Sequence, residues 1–497
     1  MEDLTPAVSG ERRHPTRTSL LKGVWLIAGF LVLLLLLLAP RYGWHRDELY
    51  FLEAGHHLAW GYVDQPPLTP LLARVADTIA PGNLVVLRIF PALAAAGTVI
   101  IGALTVREMG GTRRAQLAGA AVVAAGGYLL GAGHLLSTAT FDFLAWMGLI
   151  WVTARMLRTS DPRWWMLFGV VSGVALLNKS LVVLLGLAIL TGLAAIRRWD
   201  LLVSPWLLLG GSIAAVIAAP NLLWQWSHGW PQLEMSRAIS ERLGTENRLL
   251  LIPLQVVFVG PAFLGLFRRG LRWLKSDRGQ IFQVFLWAWL VAMSLTLLTG
   301  GRPYYPVPLT VALVLAGVVA YQEAGNDPAN LKGLILTNAV FSVLIALPVL
   351  PVSLVNVTST VNDTLAETIG WPELVKQVAQ VVESLPETEP DDVVLLTSSY
   401  GEAGAIDLFG AISGLPQAYS AHNSYADFRQ PDDESAATLA IGYRGDTLRR
   451  YFESCETVGE VDNRYGIDNE AQGKQIVLCH DPLTDWHQAW PQLRHLD

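Results

Sequence analysis

The sequence predicts a polytopic α-helical membrane protein of about eleven transmembrane helices with a small α/β domain at its C-terminal end. Three observations lead there. Of 497 residues, 52 % are hydrophobic and 15 % charged, against about 45–50 % and 25 % in soluble domains. Charge divides sharply along the chain. Residues 1–356 carry 27 Lys and Arg against 18 Asp and Glu, a net of +9, whereas residues 357–497 carry 8 against 24, a net of −16. Finally, apolar runs of roughly the 17–25 residues that cross a bilayer recur through the first part and stop before the acidic one.

The elements follow in order. Arg12, Arg13, Arg17 and Lys22 precede a Leu-rich run that ends at Pro40-Arg41 without a small-residue cleavage site. It reads as a retained first span behind a cytoplasmic tail, residues 1–23, and not as a signal peptide. In all, eleven spans are expected, near 24–40, 84–106, 115–133, 138–157, 164–178, 180–196, 201–223, 250–267, 280–300, 303–321 and 333–355. The pair around Asn178-Lys179 also reads as one broken helix or a re-entrant segment. With the N-terminus inside, the cytoplasmic loops collect 18 Lys and Arg and the opposite side about nine. That asymmetry sets the orientation, and eleven spans place residues 357–497 outside the cytoplasm. Two external loops are long, 41–83 and 224–249, whereas the cytoplasmic ones are short and basic. A site is therefore expected on the outer face of the transmembrane domain, residues 24–356.

The acidic part alternates apolar strand-like runs, 392–397, 438–443 and 475–479, with helical ones, 402–409 and 446–453, which suggests a layered sheet. Both cysteines, Cys455 and Cys479, lie here. An oxidising compartment would let them pair, and two free buried thiols fit the sequence equally. No GxGxxG, P-loop or metal-ligand spacing occurs. Folding, docking or acceptor recognition is the simplest role for this domain.

Candidate chemistry is concentrated in the first external loop, Tyr42-Gly-Trp-His-Arg-Asp-Glu-Leu-Tyr-Phe. Asp47 and Glu48 follow the first span where a short interfacial helix starts. Acids are favoured at helix starts by the dipole alone, but here they are followed by Asp64-Gln-Pro-Pro-Leu. Asp142, in Ser137-Thr-Ala-Thr-Phe-Asp-Phe-Leu, stands at the outer end of a span. An acid there costs free energy to insert and marks function. Arg88, Lys179 and Arg302 fall near the same face. Such cations suit the phosphate of a lipid carrier, although each alone is an ordinary snorkelling anchor. Arg302 is the best placed, because Pro-Tyr304-Tyr305-Pro follows it.

Taken together, these strings resemble the family 39 glycosyltransferases, which include protein O-mannosyltransferases and lipid A aminoarabinose transferases of the GT-C membrane fold. The resemblance covers residues 20–320 and rests on Trp-His-Arg-Asp-Glu-Leu-Tyr-Phe, Asp-Gln-Pro-Pro-Leu and Gly-Arg-Pro-Tyr-Tyr-Pro. The string Tyr400-Gly-Glu-Ala-Gly resembles a bacterial branch of the group. The resemblance implies an inverting glycosyltransferase at the plasma membrane, moving a sugar from a polyprenyl-phosphate donor to an acceptor hydroxyl. On that expectation Asp47 is the general base, Glu48 supports it or positions the donor, and Asp142 is the second acid, which helps hold the acceptor or a bound cation. Arg302, Lys179, Arg88 and Arg74 meet the donor phosphate, and His45, Asp64, Gln65, Tyr304 and Tyr305 line the substrate loop. Relatives commonly carry Lys-Pro where this chain has Gln65-Pro66, so one phosphate cation is displaced elsewhere. The acceptor is a glycan, a lipid or a protein, and no nucleic acid is expected among the partners. No cofactor is called for. A divalent cation between the acids is compatible with the chemistry, but no spacing demands one. Two other readings use the same residues: a transporter or flippase with Arg88 and Asp142 on its path, or a non-catalytic polyprenyl-sugar binder. A transporter should show internal repeats, which are absent from the sequence, and a binder would tolerate loss of the Asp47 carboxylate.

Overall fold

The computed structural model describes residues 21–359, 362–385, 393–433 and 437–496. The expected tail up to residue 20, with Arg12, Arg13 and Arg17, lies outside these, as does Asp392 at the expected start of a strand. The first helix, α1 (Lys22–Leu38), buries Val24, Ala28, Leu31 and Leu35. Their spacing of three and four residues is one helix stripe. Leu26, Phe30, Leu33 and Leu37 on the other faces are more than half exposed. In water that surface would be a liability; in a bilayer it meets lipid.

Two helices occupy the first long loop, α2 (Arg46–His56) and α3 (Leu68–Ile79), and α4 (Leu84–Glu108) follows. Next come α5 (Arg113–Ala124) and α6 (Gly127–His134), bent by 59° at their junction, then α7 (Thr138–Thr159). The uncertain pair resolves into two separate helices, α8 (Trp164–Leu176) and α9 (Val182–Ala195), of 13 and 14 residues. After α10 (Trp199–Leu202) come α11 (Pro205–Ser227), α12 (Pro231–Val259), α13 (Leu264–Leu274), α14 (Val284–Thr299), α15 (Val307–Glu323) and α16 (Lys332–Ala346). By length and composition four of the described helices can cross a membrane, or up to six if each bent pair is one span.

Three expectations are corrected here. The stretch 224–249 is not a loop: α11 runs to Ser227 and α12 begins at Pro231. Its polar sequence forms the first half of a 29-residue helix. Nor is 250–267 one span, because the chain turns by 89° between α12 and α13. Gly260 makes that turn with φ +113°, and a Cβ there would collide with Asn338. The Asn338 amide donates to the carbonyls of Ala125 (2.9 Å) and Val259 (3.3 Å). One buried side chain thus satisfies backbone groups at both helix breaks, as a bilayer requires. Finally, helix α16 ends at Ala346, before the expected 355.

Beyond it, α17 (Val355–Ser359) and α18 (Trp371–Ser384) lead into a five-stranded sheet of order β2-β1-β3-β5-β4. Its strands are β1 (Val393–Thr397), β2 (Ala418–Ser420), β3 (Ala437–Ile441), β4 (Phe452–Glu460) and β5 (Gln475–Pro482). The β1 strand pairs parallel to β2 and β3, while β5 runs antiparallel to β3 and β4. Helices α19 (Tyr400–Phe409), α20 (Tyr425–Phe428), α21 (Gly445–Leu448) and α22 (Trp486–Leu493) complete the domain. The helix expected at 446–453 is only α21, and β4 starts at Phe452. The burial of β4 is that of an exposed edge, which carries no apolar run to betray a strand. Cys455 and Cys479 face each other across β4 and β5 and form a disulfide. This domain shares a core with the first loop: Trp44, Leu49, Tyr50, Leu52 and Leu87 pack with Trp371, Leu395, Tyr400, Ala403 and Ile406.

Candidate active site

The start of α2 is built by a capping box. The His45 ring accepts from the Asp47 amide at 3.1 Å, and the Glu48 carboxylate accepts from the His45 amide at 2.9 Å. This pins the helix start and sets Asp47 and Glu48 in its first turn with different fates. Glu48 is fully buried and accepts four hydrogen bonds. Two come from Arg88, Nε at 2.9 Å and Nη2 at 2.7 Å, and two from the amides of His45 and Leu136. Arg88, 1 % exposed, spends its other N–H groups on Ala39 O, Gly43 O and His134. A guanidinium has five donors, so nothing is left for a phosphate. Glu48 and Arg88 therefore occupy one another and tie α1, α2, α4 and α6 together. The expected roles of Glu48 in catalysis and Arg88 in phosphate binding do not fit this geometry.

Asp47 stays about a third exposed. Its Oδ1 accepts from the Tyr400 hydroxyl at 2.9 Å and lies 3.6 Å from Arg46 Nε. Its Oδ2 lies 3.8 Å from His45 Nδ1 and accepts no hydrogen bond among the described residues. Burial works to raise the Asp47 pKa, but positive charge at His45 and Arg46 and the Tyr400 hydrogen bond outweigh it, holding the carboxyl below its ordinary range. Burial pushes the His45 pKa down, against the neighbouring Asp47 charge that would raise it. Asp64 takes the Tyr50 hydroxyl at 2.8 Å, and Tyr50 stacks on Tyr400 at 4.7 Å. Burial, with the nearby Asp47 charge, raises the Asp64 pKa to about 7. Two carboxyls with different environments and different pKa values thus flank one tyrosine stack, the usual signature of an acid–base site.

The Asp64–Thr69 segment connects this acid group to a cationic one. Leu68 N–H donates to Leu177 O at 2.8 Å, and the Thr69 hydroxyl donates to Asn178 at 2.9 Å. Asn178 in turn donates to Thr138 O, at the start of the helix that carries Asp142. The adjacent Lys179 ammonium donates to the Tyr304 hydroxyl at 2.9 Å and sits over the rings of Tyr304 and Tyr305. Its charge reaches Asp142, whose carboxylate is buried beside the Trp146 indole. The turn bearing Arg302 is held by Gln255 on Pro303 O and by Asn247 on Gly300 O. The Arg302 guanidinium makes no hydrogen bond or ion pair among the described residues. Gln65 is buried, and its side-chain amide nitrogen has no hydrogen-bond partner among the described residues. Arg74 stands apart, exposed on α3 beside Asp77. Among the described residues no three of His, Cys, Asp and Glu converge as they would around a metal ion.

Residues of the C-terminal domain were not foreseen in the site. Tyr400 reaches Asp47, Ser424 accepts from the Val63 amide at 2.9 Å, and Glu470 pairs with Arg46. The one signal available in the sequence was the string Tyr400-Gly-Glu-Ala-Gly.

Residues 64–224 match the family model described as dolichyl-phosphate-mannose-protein mannosyltransferase. In structure the chain is similar to ArnT from Cupriavidus metallidurans bound to undecaprenyl phosphate. The TM-score is 0.61 at 15 % identity, covering 92 % of this chain and 98 % of that one. The same protein in the apo state gives 0.58 at 15 % identity, covering 92 % and 97 %. An oligosaccharyltransferase from Archaeoglobus fulgidus, in complex with Zn and sulfate, gives 0.46 at 14 % identity, covering 84 % and 68 %. No curated protein matches the chain in sequence. The chain is thus a multi-pass membrane protein that shares the fold of that ArnT over almost its whole length, and its residues 64–224 carry the match to the mannosyltransferase family model.

Proposed function

We propose that the protein is an inverting glycosyltransferase that moves a sugar from a polyprenyl-phosphate donor to an acceptor hydroxyl at the outer face of the plasma membrane. The observation that carries this reading is the asymmetry at the start of α2. Glu48 is consumed by structure, whereas Asp47 keeps one carboxylate oxygen, Oδ2, free of hydrogen bonds among the described residues. On this reading the acceptor hydroxyl gives its proton to that oxygen while its own oxygen attacks the anomeric carbon. The bond from that carbon to the phosphate oxygen breaks, and polyprenyl phosphate leaves with the electron pair. A carboxylate suits the task because it need only accept a proton in the transition state. The growing negative charge on the phosphate falls to the unpartnered Arg302, to Lys179 and to the free amide of Gln65, fixed donors of the kind that stabilise developing charge. Gln65 stands where relatives commonly carry a Lys, and its buried, unpaired nitrogen supplies a neutral donor in that place. Asp142, buried within reach of the Lys179 charge, is the second acid and orients the substrates.

The disulfide between Cys455 and Cys479 supports an extracytoplasmic C-terminal domain. That agrees with the charge asymmetry of the loops and supports an outer position for α2 and α3, which pack against the domain. The test is transfer of labelled sugar from polyprenyl-phosphate donor in membranes carrying equal amounts of wild type and Asp47→Asn. Loss of about 10²–10⁴-fold in the variant is expected for a missing general base. A variant as fast as wild type would refute the role of Asp47. A wild type that binds polyprenyl phosphate but transfers nothing would favour the binder.

A further inference from the structure

The C-terminal domain presents a particular edge to α2. In its sheet, β1 lies between β2 and β3, both parallel to it. The chain leaves β1 towards one neighbour and then crosses to the other, so the carboxyl end of β1 is a topological switch point. In open α/β sheets that crevice is where ligands bind. Here Tyr400 begins α19 directly after the crevice, and α19 lies against α2. Two glycines permit the approach. A Cβ at Gly401 would meet Arg46 and Trp371 at 2.8 and 3.0 Å, and one at Gly404 would meet the backbone of Leu49 at 3.1 Å. The Tyr400 ring is sandwiched between Tyr50 at 4.7 Å and His422 at 4.6 Å. Apolar contacts already hold that ring, and a phenylalanine would fill the space. The hydroxyl is therefore not needed for packing, and it is spent on Asp47 Oδ1.

We infer that the C-terminal domain is part of the active site, and that Tyr400 is a positioning residue that turns Oδ2 of Asp47 towards the acceptor. This rests on the reading of Asp47 as the base. With Oδ1 held by Tyr400 and flanked by Arg46, the carboxylate cannot rotate freely, and Oδ2 is the oxygen presented. Arg46 is itself fixed from the domain side, by Glu470, which Lys474 approaches at 3.6 Å. Lys474 also holds Glu402 at 2.8 Å, in the capping box of α19. The domain thus delivers the hydroxyl and braces the neighbouring cation through one connected set of charges. Ser424, on the turn after β2, anchors Val63 next to Asp64 and extends the same wall.

The test is Tyr400→Phe in the full chain, purified in detergent, with two readouts. The first is the pH profile of sugar transfer. Removing a donor to the charged carboxylate raises its pKa, so the acid limb should move up by about one unit while KM for the donor lipid stays unchanged. A general loss of rate with an unmoved limb would reduce Tyr400 to packing and overturn the proposal, as would a variant indistinguishable from wild type. The second readout needs no activity: carbodiimide labelling of the Asp47 carboxyl, followed by mass spectrometry across pH. Labelling of Asp47 in the variant should be several-fold faster at a fixed mildly acidic pH. If wild type transfers nothing from the donor offered, this second measurement decides alone. Faster labelling upholds the positioning role while the transferase reading falls, and equal labelling overturns the positioning role itself.

Discussion

Removing one partner of the Glu48–Arg88 pair should cost the protein its fold, not merely its activity. Both side chains are essentially fully buried, and the carboxylate has no contact with solvent. Arg88→Met would leave the Glu48 charge with two amide donors in place of four hydrogen bonds and a counter-charge. It would also strip partners from Ala39 O and Gly43 O. Breaking a buried pair from one side costs about 3–5 kcal/mol. Glu48→Gln acts from the other side, since its amide must turn an N–H towards a guanidinium that has only donors. The double variant Glu48→Gln, Arg88→Met removes the mismatch in each single one. It should lose less than the sum of the two, by a coupling of about 2 kcal/mol or more. The assay is denaturant or thermal unfolding of the four purified forms in one detergent, with transfer measured on the folded fraction. Glu48→Gln with wild-type stability and abolished transfer would refute this reasoning and return Glu48 to the reacting groups.

Two further outcomes follow from groups around the site. Asp64 carries a pKa of about 7 in place of 3.8, and burial likewise lifts Glu367 to about 7 from 4.5. Between those values the folded state holds more protons than the unfolded one, so stability should fall as pH rises from about 4 to about 7. Asp64→Asn should flatten that slope in unfolding curves taken across the range; an unchanged slope would show that Asp64 titrates normally. Cys455 and Cys479 close a loop of 24 residues, for which loss of the cross-link costs about 3 kcal/mol in the chain-entropy account. Cys455→Ala with Cys479→Ala should therefore make the C-terminal domain more sensitive to protease, and equal sensitivity would argue against a stabilising cross-link.

Much of the membrane part was legible because it rests on local rules. An apolar run of bilayer length with a basic end needs no partner to be recognised, and α1, α4, α7 and α14 lie where such runs stand. The errors fell where tertiary contacts decide. The segment 231–248 is polar enough to read as a loop, yet it continues an apolar stretch and forms one helix with it. The break at Gly260 depends on Asn338, 78 residues away, which satisfies the carbonyl that the break exposes. Glu48 and Arg88 show the same limit for chemistry. In the sequence, an acid beside the proposed base and a cation near the end of a span both carry the marks of function. Only the closed set of hydrogen bonds between them reveals a structural lock. The unpaired amide of Gln65 and the unpartnered Arg302 stand out just as late, because freedom from partners is a property of the fold and not of a residue type.

The least legible feature is the docking of an acidic domain on an acidic loop. A domain of net −16 sits against a loop that displays Asp47, Glu53 and Asp64, and like charges at such distances repel by several kcal/mol where water is thin. The structure resolves the conflict with cations, each placed between two carboxylates from different segments. Arg46 lies between Asp47 and Glu470, Arg429 between Glu53 and Asp407, and Lys474 between Glu402 and Glu470. Arg46 and Lys474 hold the Glu470 pKa down at about 2, against the burial that would raise it. Arg46 and Arg429 form their pairs across the interface itself, so its charge balance exists only when the domain is docked. The contact that places the Tyr400 hydroxyl on Asp47 is therefore the contact that neutralises the loop. Undocking would leave Asp47 without its hydroxyl and Arg46 without Glu470 in one step. That coupling explains why an acid at the start of α2 and a tyrosine 353 residues later can act as one unit although no pattern in the intervening sequence joins them.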